Sequence, residues 1–167
     1  LARVIDARRR ALTAGEAPAE RYLLPGARGL LEGLRGRGIA MFLASGTDHN
    51  QVILEAELLG LTSYFALGIS GAVPPPGEFT KDLLVDRLVR EKIYRGDQIL
   101  GIGDGPVEIA AVARVGGVAI GVASDEQNPG RLNPDKRERL VAAGAHIIVP
   151  DLSEHKILLR YLFDQGA

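Results

Sequence analysis

The 167-residue chain contains no cysteine. That removes disulfides, thiolate metal sites and thiol nucleophiles, and a cytoplasmic location is expected. It also lacks an excess of either charge. The net charge is -1 and the pI is near 6.4, so no electrostatic attraction to nucleic acid or a membrane surface is expected. No apolar run reaches the length of a membrane span, and no signal-peptide pattern is visible. Three familiar signatures are missing too: the glycine-rich dinucleotide fingerprint, the Walker phosphate loop and the G-x-S-x-G nucleophile turn. His49, His146 and His155 show no ligand spacing. Lysines are few among many arginines.

What remains is ordinary globular material. Hydrophobic residues make up 46% and charged residues 25%, enough in a chain of this length for one domain with a buried core. A first helix is expected over residues 1–16, with Leu1, Val4, Ile5 and Leu12 apolar and Arg8-Arg9-Arg10 on a solvated face. Pro25-Gly26 reads as a turn before a helix from Ala27 to Arg37 that Gly38 closes.

From there strands and helices alternate. Ile39–Ala44 is a short apolar run, as a strand buried on both faces would be. Asp48 can cap the helix that follows, with Gln51 completing a capping-box pattern. Weaker strand character spans Phe65–Ser70, and a loop with three prolines follows. Thr80 can cap a helix through Glu91. Strands are expected over Gln98–Ile102, Val118–Val122 and His146–Val149. Helices are expected through Val115, from Asn133 or Pro134 to Ala143, and after a cap at Asp151. The spacing is that of βα units. The expected fold is α/β, a Rossmann-like parallel sheet with helices on both faces. In such sheets ligands lie beyond the carboxyl ends of the strands.

Four segments at those ends carry candidate chemistry. Ser45-Gly46-Thr47 offers two hydroxyls and an unhindered N–H leading into a helix N-terminus, which favours anions; the same residue types also suit a helix cap. Lys81 falls in the first turn of its helix. A cation there opposes the macrodipole by roughly 0.3–1 kcal/mol, and a flexible point charge suits a phosphate. Asp104 and Glu108 bracket the strand-to-helix turn Gly103-Asp104-Gly105-Pro106, an arrangement that suits a hard cation such as magnesium. Asp125-Glu126 follows the next strand and either faces the same site or caps a loop, the latter being favoured.

In this order and strand context, Ala44-Ser45-Gly46-Thr47, Lys81 and Gly103-Asp104 with Glu108 resemble the haloacid dehalogenase (HAD) superfamily. The resemblance runs roughly from Tyr22 to Phe163. It implies a phosphatase-type core in which Ser45 and Lys81 are the catalytic residues present. Ser45 would bind the substrate phosphate with Gly46 or Thr47 backbone assistance. Lys81 would stabilise charge on the nucleophile and the transferring phosphoryl group. Asp104 would hold magnesium, and Glu108 stands where the family often has Asp, acting on the metal directly or through water.

One motif of the family is missing. It needs an apolar strand ending in D-x-D, whose first Asp attacks phosphorus. Upstream of Ser45 the acids are Asp6, Glu16, Glu20 and Glu32, and none follows such a strand. The resemblance places that strand between those ending at Ala44 and Ile102, where its loss leaves a gap of roughly 9.6 Å. The expectation is therefore a longer natural protein, with residues 1–20 the tail of a helical cap or a linker and residues 21–167 the core without its first, central strand. In the intact protein the implied activity is magnesium-dependent hydrolysis of a small phosphorylated metabolite through an aspartyl-phosphate, with this chain inactive alone. Alternatives are a phosphomutase of the same superfamily and a non-enzymatic phosphate-binding or interaction module.

Overall fold

The computed structural model of the chain describes residues 2–72, 81–91 and 93–164. In chain order its elements are α1 (Ala2–Thr13), α2 (Ala27–Gly36), β1 (Phe42–Asp48), α3 (His49–Leu58), β2 (Gly68–Ala72), α4 (Lys81–Arg90), β3 (Leu100–Gly103), α5 (Pro106–Arg114), β4 (Val118–Val122), α6 (Pro134–Ala142), β5 (Ile147–Val149) and α7 (His155–Phe163). The chain forms two compact units, Leu1–Val73 with Leu152–Ala167, and Pro74–Asp151. Every strand pairing is parallel, as expected, but the strands form two sheets, β1-β2 and β3-β4-β5. No helix among the described residues is long and apolar enough to cross a membrane.

In the first unit α1 packs against α3, and α2 against α7. Leu30 and Leu34 of α2 lie one helical turn apart and are buried, as are Leu158 and Leu159 of α7. Gly38 ends α2 with φ of 71°, a left-handed conformation that glycine adopts without steric cost. Asp48 caps α3 as its type and position suggest, accepting from Gln51 N–H at 3.2 Å. The Arg28 guanidinium reaches the other end of the same helix and donates to Leu59 O at 2.8 Å.

The second unit holds the more regular sheet. Leu100, Gly101, Ile102 and Gly103 align with Val118, Ala119, Ile120 and Gly121. Its core joins Ile109, Ala111 and Val112 of α5 to Ala119, Ala123 and Leu140, with Val85 of α4 added. Each Val, Ile or Leu among them contributes about 1.5–3 kcal/mol when fully buried, and each alanine less. Asn133 caps α6, accepting from Lys136 N–H at 2.9 Å.

Several boundaries depart from the sequence pattern; β3, expected over Gln98–Ile102, lies at Leu100–Gly103, with Gln98 still in the preceding 3-10 turn. β1 starts later than Ile39 and runs on through Ser45, Gly46 and Thr47 to Asp48. β2 lies at Gly68–Ala72 and not at Phe65–Ser70, because its placement follows pairing with β1 and not apolar content. Asp151 does not cap α7, which begins at His155. Leu152 N–H instead donates to Pro25 O at 2.9 Å, so the chain turns once more before the helix starts. Thr80, the expected cap of α4, lies outside the described residues.

Candidate phosphate and metal site

The first unit carries Ser45, Gly46 and Thr47 as a bulge. Ala44 aligns with Ser70 and Asp48 with Ala72, so three residues of β1 face the single residue Gly71 of β2. Extra residues in one strand re-aim its backbone, which is why bulges recur beside active sites. Ser45 is half-buried, and Gly46 and Thr47 are exposed. The Ser45 hydroxyl accepts from Thr47 N–H at 3.1 Å, so the bulge closes on itself and holds its own donor. An incoming phosphate oxygen would compete for that N–H.

Gly71 is what lets the bulge form. A Cβ there would overlap the Thr47 carbonyl and lie 2.8 Å from His49 Cα. Its N–H donates to His49 Nδ1 at 3.2 Å, tying β2 to the first residue of α3. Neither residue carries a local sequence pattern that marks it for this role. A glycine between polar and apolar strand residues was the available signal of close backbone approach.

The second unit places Asp104 and Glu108 together on one turn. Asp104 follows the last residue of β3 and is exposed at its carboxyl end. Gly105 is the N-cap of α5 and Pro106 its first residue, where a missing N–H is harmless. Glu108 Oε1 accepts from Gly105 N–H at 3.0 Å. The carboxylate lies over both glycines: a Cβ on Gly103 would come 2.7 Å from Glu108 Oε1, and one on Gly105 2.6 Å from Oε2. Gly105 has φ of −106°, so this glycine makes room for Glu108 and is not needed for an unusual backbone conformation.

The remaining candidates divide. Lys81 is the first residue of α4, and its side chain lies outside what is described. Asp125 is engaged in its own loop, accepting from Gln127 N–H at 2.9 Å and from Asn128 Nδ2 at 3.0 Å. The Asn128 amide and then the Gln127 N–H hold its carboxyl below the usual aspartate range. The loop-cap reading of Asp125 therefore stands. Among the described residues no three His, Cys, Asp or Glu side chains converge as a metal site. Asp104 still fits magnesium, which binds through one or two carboxylates with waters and substrate oxygens completing the shell. Glu108 fits less directly, because one of its oxygens is held by the turn.

The family model for haloacid dehalogenase-like hydrolases matches residues 2–116. The chain belongs to this family. Among solved structures, this HAD-like chain is similar to a HAD family hydrolase from Deinococcus radiodurans R1 with bound phosphate and sodium, at 23% identity and a TM-score of 0.62, covering 84% of this chain and 59% of that one. It is similar to a predicted phosphatase from Clostridium acetobutylicum, at 24% identity and a TM-score of 0.63, covering 81% and 59%. A beta-phosphoglucomutase from Clostridium difficile is similar at 18% identity and a TM-score of 0.61, covering 89% and 60%. At these identities the likeness speaks for the fold. The HAD-like chain spans about three fifths of the length of these structures. No curated protein matches it.

Proposed function

We propose that the intact protein is a magnesium-dependent phosphatase acting on a small phosphorylated metabolite through an aspartyl-phosphate. One observation carries the reading: Asp104 projects from the carboxyl end of β3 on a turn that Glu108 braces through Gly105. Family membership and the Ser45-Gly46-Thr47 bulge support it.

Phosphoryl transfer needs positioning and charge neutralisation more than covalent help from many groups. Asp104 would hold magnesium, with Glu108 acting through water, and the bound ion would neutralise phosphoryl oxygens. Ser45 Oγ, Gly46 N–H and Thr47 N–H are the donors for the substrate phosphate. Lys81 adds positive charge where the transition state gains negative charge. The nucleophile would be the first Asp of the family's D-x-D motif, residues 1–20 would be the tail of a helical cap or a linker, and the substrate would be a small phosphorylated metabolite. An aspartyl-phosphate divides the reaction into two easier steps.

The test is magnesium-dependent phosphate release from p-nitrophenyl phosphate. The intact protein should turn over and residues 1–167 alone should not. Lys81→Ala in the intact protein should lower turnover by about a hundredfold or more while leaving the unfolding midpoint nearly unchanged. Equal turnover in wild type and Lys81→Ala, at equal folded fraction, would return Lys81 to the status of a surface residue. Phosphate binding without turnover in the intact protein would favour a binding module, and isomerisation of a sugar phosphate a mutase.

A further inference from the structure

The bulge in β1 is fastened at its far end by two consecutive side chains. Asp48 accepts from Gln51 N–H at 3.2 Å and so holds the first turn of α3. His49, the next residue, reaches the other way. Its Nδ1 accepts from Gly71 N–H at 3.2 Å, which ties the first residue of α3 to β2. Gly71 lies between Ser70 and Ala72, the partners of Ala44 and Asp48, and has no register partner of its own. The tie therefore crosses the sheet where the bulge interrupts it.

The chemistry of this contact is specific. In the imidazole that makes it, Nδ1 carries no proton and Nε2 does. The contact also sits in a crowded place: a Cβ on Gly71 would overlap the Thr47 carbonyl and lie 2.8 Å from His49 Cα and 2.9 Å from His49 N. The backbone of β2 thus lies against the end of the bulge, and the imidazole holds it there. His49 is half-buried, whereas Gly46 and Thr47 are exposed, so the fastening is sheltered and the residues it steadies are open to solvent. A backbone N–H shielded from water needs an acceptor. Without the imidazole, β2 is free to draw away from α3 or to slide toward the bulge, and either movement shifts the N–H groups of Gly46 and Thr47.

We propose that His49 is a positioning residue of the phosphate site: by holding Gly71 N–H on Nδ1, it keeps the Ser45–Thr47 bulge in the shape that offers Gly46 and Thr47 N–H to the phosphate. This rests on the phosphatase reading and adds to it a residue that touches no reacting atom. Preorganised donors favour phosphate oxygens in substrate and transition state alike, so the effect belongs in phosphate affinity and KM more than in kcat.

The experiment measures inorganic phosphate affinity by calorimetry, and KM and kcat for p-nitrophenyl phosphate, in the intact protein with magnesium and at equal folded fraction. The variants differ in where they place an acceptor. Asparagine Oδ1 stands as many bonds from Cβ as Nδ1 does, and glutamine Oε1 stands one bond further. His49→Asn should keep phosphate affinity within about twofold of wild type. His49→Ala and His49→Gln should each weaken it and raise KM by about fivefold, the scale of one lost hydrogen bond, with a smaller change in kcat. If His49→Ala does not fold, the comparison of His49→Gln with His49→Asn decides. Equal phosphate affinity in wild type and His49→Gln would overturn the proposal, whatever the loss of stability, and would make the contact a structural tie alone. Equal losses in His49→Asn and His49→Gln would overturn it too, because the acceptor at Nδ1 would then not be what the site needs. Phosphate binding that depends on His49 without release of phosphate from the ester would overturn the phosphatase reading and leave the positioning role standing. No phosphate binding by wild type would overturn both.

Discussion

Removing the Glu108 carboxylate should loosen the turn that carries Asp104. In Glu108→Ala, Gly105 N–H loses its acceptor at 3.0 Å and α5 loses the acid in its first turn. A hydrogen bond to a charged group contributes about 1.5–3 kcal/mol, and an acid near a helix N-terminus about 0.3–1 kcal/mol. The two overlap, and Glu108 is half-buried, so the expected loss is about 2 kcal/mol. Glu108→Gln keeps an oxygen that can accept from Gly105 and loses only the charge, so it should cost less than about 1 kcal/mol. Urea unfolding at neutral pH measures both, with the midpoint falling and the slope unchanged. The companion readout is magnesium affinity. Glu108→Gln should stay closer to wild type than Glu108→Ala, because the residue holds Asp104 in place through Gly105 as well as acting on the metal through water. If glutamine costs as much as alanine in both measurements, the charge itself is what matters, and Glu108 is a direct ligand. If alanine costs nothing, the turn does not depend on Glu108 at all.

Two further outcomes follow from the first unit. Gly71→Ala should destabilise the chain by about 1–3 kcal/mol and weaken inorganic phosphate binding, since the new methyl meets the Thr47 carbonyl and the His49 backbone; unchanged phosphate binding would remove the bulge from the site. Glu20 sits below the usual glutamate range because of a backbone hydrogen bond and then the Arg28 guanidinium, 2.6 Å away. Its contribution should be present above the ordinary glutamate pKa and vanish as pH falls through the lowered value, so the stability gap between wild type and Glu20→Gln should close on acidification; a gap that persists in acid would refute this.

The second unit was the more legible part of the chain. Val118–Val122 is a continuous apolar run inside a sheet with neighbours on both sides, and sequence and structure agree on its limits. Asn133 and Asp48 mark their helices because short Asn and Asp side chains readily accept from the N–H three residues on. The Ser45–Thr47 segment was recognised by residue type, but its shape was not, because the bulge depends on Gly71 across the sheet and no local pattern encodes a partner strand. β2 was misplaced for the same reason: Gly68-Ile69-Ser70-Gly71-Ala72 has little apolar content, and pairing with β1 defines it. The start of α7 moved because a hydrogen bond from Leu152 to the remote Pro25 extends the turn beyond Asp151. Asp104 and Glu108 were found together because their four-residue spacing across a strand-to-helix turn is local. Glu108's attachment to Gly105 is a short-range contact that the Gly-Asp-Gly pattern allowed without requiring.

Asp104, at the end of β3, is the proposed anchor of the metal site. Calorimetric titration of the intact protein with magnesium, wild type against Asp104→Asn, tests it most directly. Asparagine keeps the shape and removes the charge. Asp104→Asn should bind magnesium more weakly by about tenfold or more, because magnesium relies on very few carboxylates. Equal affinity in the two proteins would make Asp104 a turn residue and put the metal elsewhere.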